Sequence, residues 1–381
     1  GRNLRDPEWT NFSPRIGLAY EIRPGTVIRA GYGIFFAMAP WGANYYGTSP
    51  FVASTPWLAS LDGANPNDLL SNPFTGGIVQ PEGSSGGLLA GNGLGGNGPV
   101  PDTMTNTYNQ QWNFTVAHEI AYQTAVEVAY AGNKGTNLPI RNGWQMDQLH
   151  PSQISPSAGL NELVDNPLYG LVPVGVMSQP RVQRGQLLTP FPQYPGVSFA
   201  APGWGNSNYH SLQTKLTKRF ADGANIVVAY TWSKLISDGG DNAWDSVLWT
   251  NYYCRSCDKS LSAYDQRHRM VTSYTYQLPF GEGKKFGSGW NAFANAILGQ
   301  WQINGIFTLN SGRVVVLDAP GNTSFSFGGR QRPDSTGVDA RLANPTIDEW
   351  FDTDQFTIPK PYTFGNVGRI LPTVRGDFVE A

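Results

Sequence analysis

Charge is scarce in this chain. Of 381 residues only 14% are Asp, Glu, Lys or Arg, the net charge is −2, and the basic residues are scattered rather than grouped. A balance so close to neutral gives no electrostatic hold on nucleic acid, and no nucleic-acid partner is expected. Cysteine is limited to two residues and histidine to four, which leaves little material for a metal centre built on thiolate and imidazole ligands. No stretch approaches the roughly 18 consecutive apolar residues that a membrane-spanning helix needs. If the chain meets a bilayer it must do so with strands, because only helices and closed barrels satisfy their backbone polar groups in lipid.

Glycine (45), proline (28) and aromatic residues (13%) are plentiful. Together with low charge they suit an all-β protein with long loops, and they argue against a charged, disordered chain. Four pairs of alternating segments stand out. Ser13–Ile22 and Thr26–Phe36 flank the turn Arg23-Pro24-Gly25. Ile16, Leu18, Tyr20 and Ile22 fall on one face of the first segment, and Arg15, Gly17, Ala19 and Glu21 on the other, because side chains alternate across a pleated strand. The second pair sets Trp112, Phe114, Val116, His118 and Ile120 against Asn113, Thr115, Ala117 and Glu119. After Tyr122-Gln123 it continues with Thr124, Val126, Val128 and Tyr130. The third pairs Leu212, Thr214, Leu216, Lys218 and Phe220 with Ile226, Val228, Tyr230 and Trp232 across the turn 221–224. The fourth pairs Met270 to Leu278 with Trp301 to Leu309.

A soluble β-sandwich also alternates. Two features favour a membrane wall instead. The apolar face turns aromatic toward the segment ends (Tyr20, Tyr32, Trp112, Tyr130, Tyr230, Trp232, Trp301), where rings sit at headgroup level on a barrel's rims. The connections also alternate between a few residues and the long stretches 37–110, 134–207 and 237–264, far beyond the loops of compact soluble domains. Short turns on one rim and long loops on the other are the habit of outer-membrane barrels. The expected fold is therefore all-β: an antiparallel transmembrane β-barrel in the cell outer membrane, in contact with its lipid and carrying long extracellular loops. About eight strands are visible, an arc of a larger wall. The chain starts at Gly1 without a signal segment and its pattern is still running at Val379-Glu380-Ala381, so residues 1–381 are expected to be a fragment of a single barrel domain.

Several constellations invite chemistry. Cys254-Arg255-Ser256-Cys257 lies in the third long loop. A zinc reading needs two more ligands, for which His210 and His268 are not placed by the sequence. A thioredoxin-like reading needs a helix start in a βαβ unit. A local disulfide between Cys254 and Cys257 asks least of the chain in an oxidising compartment. Tyr264-Asp265-Gln266-Arg267-His268-Arg269 crowds His, Asp and Arg, the material of acid–base catalysis. It sits at a loop-to-strand boundary without a serine nucleophile motif, so the expectation is a rim anchor and no enzyme. Gly83–Gly98 is glycine-rich but lacks the Lys-Ser/Thr ending and following helix of a phosphate-binding loop. Asp238, Asp241 and Asp245 offer oxygen ligands for calcium at a spacing no standard loop uses. No metal and no cofactor are expected. The loop aromatics Trp41, Tyr45, Tyr46, Trp57, Trp144, Trp204, Trp244, Trp249, Tyr252 and Tyr253 could form a ligand platform or pack the loops together.

Asn11-Phe12-Ser13-Pro14-Arg15-Ile16-Gly17-Leu18-Ala19-Tyr20 resembles the "PRxGxAY" strand of the Oar-like TonB-dependent receptors, which carry a carboxypeptidase regulatory-like domain. Gln110-Gln111-Trp112-Asn113 is similar to their "QQWN" strand start, and Tyr130 to Thr136 to their "KGT" strand end. Ser207 to Gln213 with Lys218-Arg219-Phe220 and Tyr230 to Lys234 resembles the "SNYxSLQ…KRF…YTxSK" hairpin. Asp265 to Arg269 with Leu278-Pro279-Phe280-Gly281 resembles the "D-x-RHR…LPFG" segment. The resemblance spans nearly the whole chain. It implies the C-terminal part of a barrel of about twenty-two strands, whose plug and N-terminal domain lie outside this chain. It also implies binding of an extracellular ligand, of unknown identity, and passage energised by the TonB complex through that plug. Asn113, Glu119, Glu127, Gln213, Lys215 and Arg219 would then face the lumen or plug, and Ile226, Val228, Tyr230 and Trp232 the lipid. Two rivals remain: a surface adhesin whose loops bind without transport, and an outer-membrane hydrolase, for which only His268 near Asp265 qualifies.

Overall fold

The computed structural model describes residues 8–37, 105–121, 123–140, 144–172, 176–194, 196–199, 203–220, 223–239, 249–321 and 323–380, with short pieces between 69 and 97. Among the described residues nine strands form the wall: β1 Arg15–Arg23, β2 Thr26–Ala37, β3 Thr107–Ala121, β4 Thr124–Pro139, β5 Gly203–Arg219, β6 Asn225–Ser237, β7 His268–Gln277, β8 Gln302–Val315 and β9 Leu371–Glu380. Each pairs antiparallel with the next in chain order, and the two-residue strand Ser260–Leu261 adds to β6. Among the described residues β1 and β9 do not pair, so the wall is an open arc.

The alternating segments fall where periodicity puts them, and the turns explain their register. Arg23 pairs with Thr26 across Pro24-Gly25. Gly25 takes φ +78° there, a conformation a side chain would strain. β4 and β5 run to 16 and 17 residues, past the 9–11 or so that a tilted span requires, so their upper ends rise above the apolar band. Two elements differ from expectation. A ninth strand follows the eight expected, its Thr373, Arg375 and Asp377 alternating with Val374, Gly376 and Phe378. The connection after β7 is not a tight turn but carries a helix, α1 Ala292–Leu298.

Register joins the apolar residues into one continuous sheet face. Ile28 stands between Tyr20 and Val116, Phe114 faces Tyr130, Leu216 faces Val228, and Tyr276 faces Ile303. These side chains are not covered by protein: Ile16 is 72% exposed and Trp232 53%. Glycine lets rings lie flat on this face. A Cβ at Gly132 would come within 2.3 Å of the Trp112 ring and one at Gly305 within 2.5 Å of Tyr274. Near the long-loop end, the same diagonal contact occurs twice. The Tyr130 hydroxyl bonds His210 Nδ1 at 2.7 Å, the Tyr230 hydroxyl bonds His268 Nδ1 at 2.8 Å, and both ring pairs stack.

Above the wall, the long connections fold onto one another. Ile140, Trp249 and Tyr252 form one buried cluster against Trp204; Val172, Met177 and Val182 form a second; Ala340, Leu371 and Val374 form a third against Val315, Trp350 and Phe351. Apart from Ala129 of β4 and Leu371 and Val374 of β9, the buried apolar side chains among the described residues lie in this cap rather than in the wall.

Candidate functional site

Two regions carry polar chemistry: the second face of the wall and the interior of the cap. On the wall, Glu127 of β4 stands opposite Lys215 of β5, and Arg219 pairs in register with Asn225. Arg29 of β2 reaches to 3.9 Å from Glu127. Glu119, Glu127, Lys215 and Arg219 border a hollow of about 530 Å³ near the short-turn rim. Opposite charges on neighbouring strands of one face attract modestly when solvated, so the surface stays available to polar partners. Higher on the same face, Gly31, Gly33 and Ala131 help form a hollow of about 480 Å³. The Arg15 guanidinium lies over the Phe35 ring at 4.7 Å, and Asn113 and Tyr209 add polar groups. The residues expected to face the lumen (Asn113, Glu119, Glu127, Gln213, Lys215, Arg219) share this face by strand parity, opposite Ile226, Val228, Tyr230 and Trp232.

The cap interior is held by polar groups with almost no exposure. Gln148 Nε2 donates to the carbonyls of Thr250 (2.9 Å) and Gly328 (3.0 Å), while its Oε1 accepts from the Tyr252 amide (2.7 Å). Asp258 and Arg332 form an ion pair whose side chains are 0% and 5% exposed. Burial pushes the Asp258 carboxyl up and the Arg332 guanidinium down, while each opposes the other's shift by attraction. Arg369 donates to the backbone carbonyls of Asp258 (3.3 Å), Ser237 (3.1 Å) and Leu261 (3.3 Å). Asp147 accepts from the Phe191 amide at 2.9 Å, yet burial raises its pKa to about 6. Such groups tie connections together, since breaking a buried pair leaves a charge without compensation. Arg332, Arg369 and Gln148 carry no local signal in the sequence, because these partners lie from 74 to 180 positions away.

The remaining candidates separate. Asp265 is buried against two wall strands, accepting from the Leu235 amide of β6 at 2.6 Å and pairing with Arg375 of β9. His268 instead lies on the apolar face against Tyr230, so the two do not form a catalytic pair. Cys254 and Cys257 are bonded to each other in a 3-10 turn. Between them, Arg255 spreads over the rings of Trp204 and Trp249 at 5.0 and 5.4 Å. His210 is engaged with Tyr130. Among the described residues no cluster of His, Cys, Asp and Glu could hold a metal. Asp238 accepts from the Asn206 amide at 2.5 Å; Asp241 and Asp245 lie outside the described residues, as do Trp41, Tyr45, Tyr46, Trp57, Trp244 and most of 83–98. Of the loop aromatics described, Trp249 and Tyr252 are buried cap residues, and Tyr253 donates to the Gln148 carbonyl while its ring meets His150 edge-on.

The model of the outer membrane beta barrel domain family matches residues 1–380. Among solved structures, the outer membrane transporter YddB from Escherichia coli is similar over 85% of this chain, at 8% identity and a TM-score of 0.40. The chain spans 33% of that transporter's length. A comparison with curated proteins finds no match.

Proposed function

Because the chain belongs to the outer membrane beta barrel domain family and resides in the outer membrane, we propose that it forms wall and extracellular cap of an Oar-like, TonB-dependent receptor. Its ligand binds at the cap and passes through the barrel. The observation that carries this reading is the wall itself, apolar and uncovered on one face and charged with both signs on the other, beneath a folded cap. A face with Glu127, Lys215, Arg219 and Arg29 suits a polar plug or a wet passage, and the opposite face suits acyl chains. The resembling motifs support the finer assignment, since "PRxGxAY" falls in β1, "QQWN" in β3 and "SNYxSLQ" in β5. The chain supplies no catalytic group on this reading: Asp265 and His268 diverge, and their partners are structural.

Coupling is tested by capture. The whole protein, solubilised from outer membranes, should retain the soluble periplasmic part of TonB on an affinity column. A folded barrel that captures none would instead favour a surface adhesin whose cap binds without transport.

A further inference from the structure

Three of the wall's four lower connections are tight turns; the fourth, 278–301, is a folded foot. Its backbone closes on itself through Leu278 N–H to the Trp301 carbonyl (2.8 Å) and Gln300 N–H to the Phe280 carbonyl (2.9 Å). The Asn291 side chain caps α1 by accepting from the Ala294 amide (2.8 Å). On one side of the helix, Asn295 Oδ1 accepts from the Glu282 amide at 2.9 Å, fixing the helix to the loop. On the other, Phe293 and Ile297 stand at i and i+4 on one helical face, and Trp290, just before the helix, stacks on Phe280 beside them. Among the described residues nothing covers that face: Phe293 is 76% exposed, Ile297 50% and the neighbouring Leu298 54%.

The stripe runs into a surface already assigned. Trp301 Nε1 donates to the Ile297 carbonyl at 2.7 Å, and Trp301 shares strand parity with Ile303, which faces Tyr276 on the apolar side of the wall. The foot is thus continuous with the lipid-facing band and lies at the rim of short turns, which faces the periplasm in outer-membrane barrels. Its cations sit at the edge. Lys284 Nζ is held by Gln277 Oε1 at 3.0 Å and Lys285 lies 5.5 Å from the Phe286 ring centre. Short amphipathic elements with aromatic and basic residues lie in the plane of the lipid interface, apolar side down, while lysines reach toward headgroup phosphates.

We propose that residues 278–301 form an in-plane anchor on the periplasmic leaflet, with Trp290, Phe293, Ile297, Leu298 and Trp301 among phospholipid acyl chains and Lys284 and Lys285 at headgroup level. The occupant is lipid rather than plug because the stripe joins the apolar face of the wall. The inference needs only that the chain lies in the outer membrane, so its failure would leave the receptor reading standing, and the reverse.

The test uses the whole protein in vesicles of phosphatidylethanolamine and phosphatidylglycerol. A nitroxide is placed singly by Phe293→Cys, Ile297→Cys or, on the far side of the helix, Glu282→Cys. The two stripe positions should gain collisions with dissolved oxygen and lose them with a water-soluble nickel chelate, at a depth shallower than Val228→Cys in mid-wall. Glu282→Cys should stay open to the chelate. Stripe positions as open to nickel as Glu282→Cys would overturn the proposal. So would stripe positions closed to both reagents, which would mean a protein surface, a plug or a second copy, covers them. Labelling two stripe positions separately, each in protein confirmed as folded by its heat-dependent gel shift, keeps one disruptive substitution from deciding the result.

Discussion

The wall and the cap of this protein are built on opposite rules. Among the described residues, every buried apolar side chain except Ala129 lies outside the first eight wall strands. The wall satisfies its backbone through the strand ladder and leaves Ile16, Leu18, Phe114 and Trp232 uncovered. The cap covers Ile140, Leu149, Leu160 and Trp249 and pairs Asp258 with Arg332 out of water. The difference follows from the surroundings of each part. Where the outside is hydrocarbon, apolar surface gains nothing by being buried and backbone pairing dominates. Where the outside is water, burial drives folding and any polar group taken inside must be paired.

That contrast can be broken at either end. The largest effect is expected in the cap: Asp258→Ala would remove the carboxylate that offsets the buried Arg332 charge, at a cost of about 3–5 kcal/mol. Trp249 and Tyr252 should lose their near-ultraviolet dichroism at a lower temperature, while the heat-resistant mobility of the wall on gels persists. Simultaneous loss of both signals would show that cap and wall fold as one unit. Next in size, Val228→Arg on the lipid face should destabilise assembly by roughly 2–4 kcal/mol, whereas Thr231→Arg on the other face should be tolerated. Refolding yields into vesicles measure both, and equal damage would remove the assignment of faces. The smallest effect sharpens the cap alone. The folded-state pKa of Asp147 is about 6 against 3.8 for the free group, so the unfolded chain binds fewer protons between those values and stability falls as pH rises through that window. Asp147→Asn should flatten this dependence in denaturant titrations between about pH 4 and 6, while the Phe191 amide keeps an acceptor.

The same contrast explains what could be read from sequence. Strands β1 to β8 announce themselves because a half-apolar strand writes its two faces into every second residue, as Ile226, Val228, Tyr230 and Trp232 do. Short turns such as Pro24-Gly25 then fix the register. β9 alternates too, Val374, Gly376 and Phe378 against Thr373, Arg375 and Asp377, but belongs to none of the four pairs. The cap escaped for a different reason. Trp249 and Tyr252 were visible as loop aromatics, but whether they would present a platform or pack inward depends on Ile140 and Gln148, more than a hundred residues away. The foot after β7 fell between these cases: its stripe has helical period, but over a helix so short that Phe293 and Ile297 give only one repeat of it.

Gln148 and Arg369 each join parts of the cap that come from different hairpins of the wall. Outer connections linked in this way behave mechanically in parallel. A pull on any one of them is shared by the others and by the strand ends that hold them, so the load spreads over the whole roof instead of staying in a single loop.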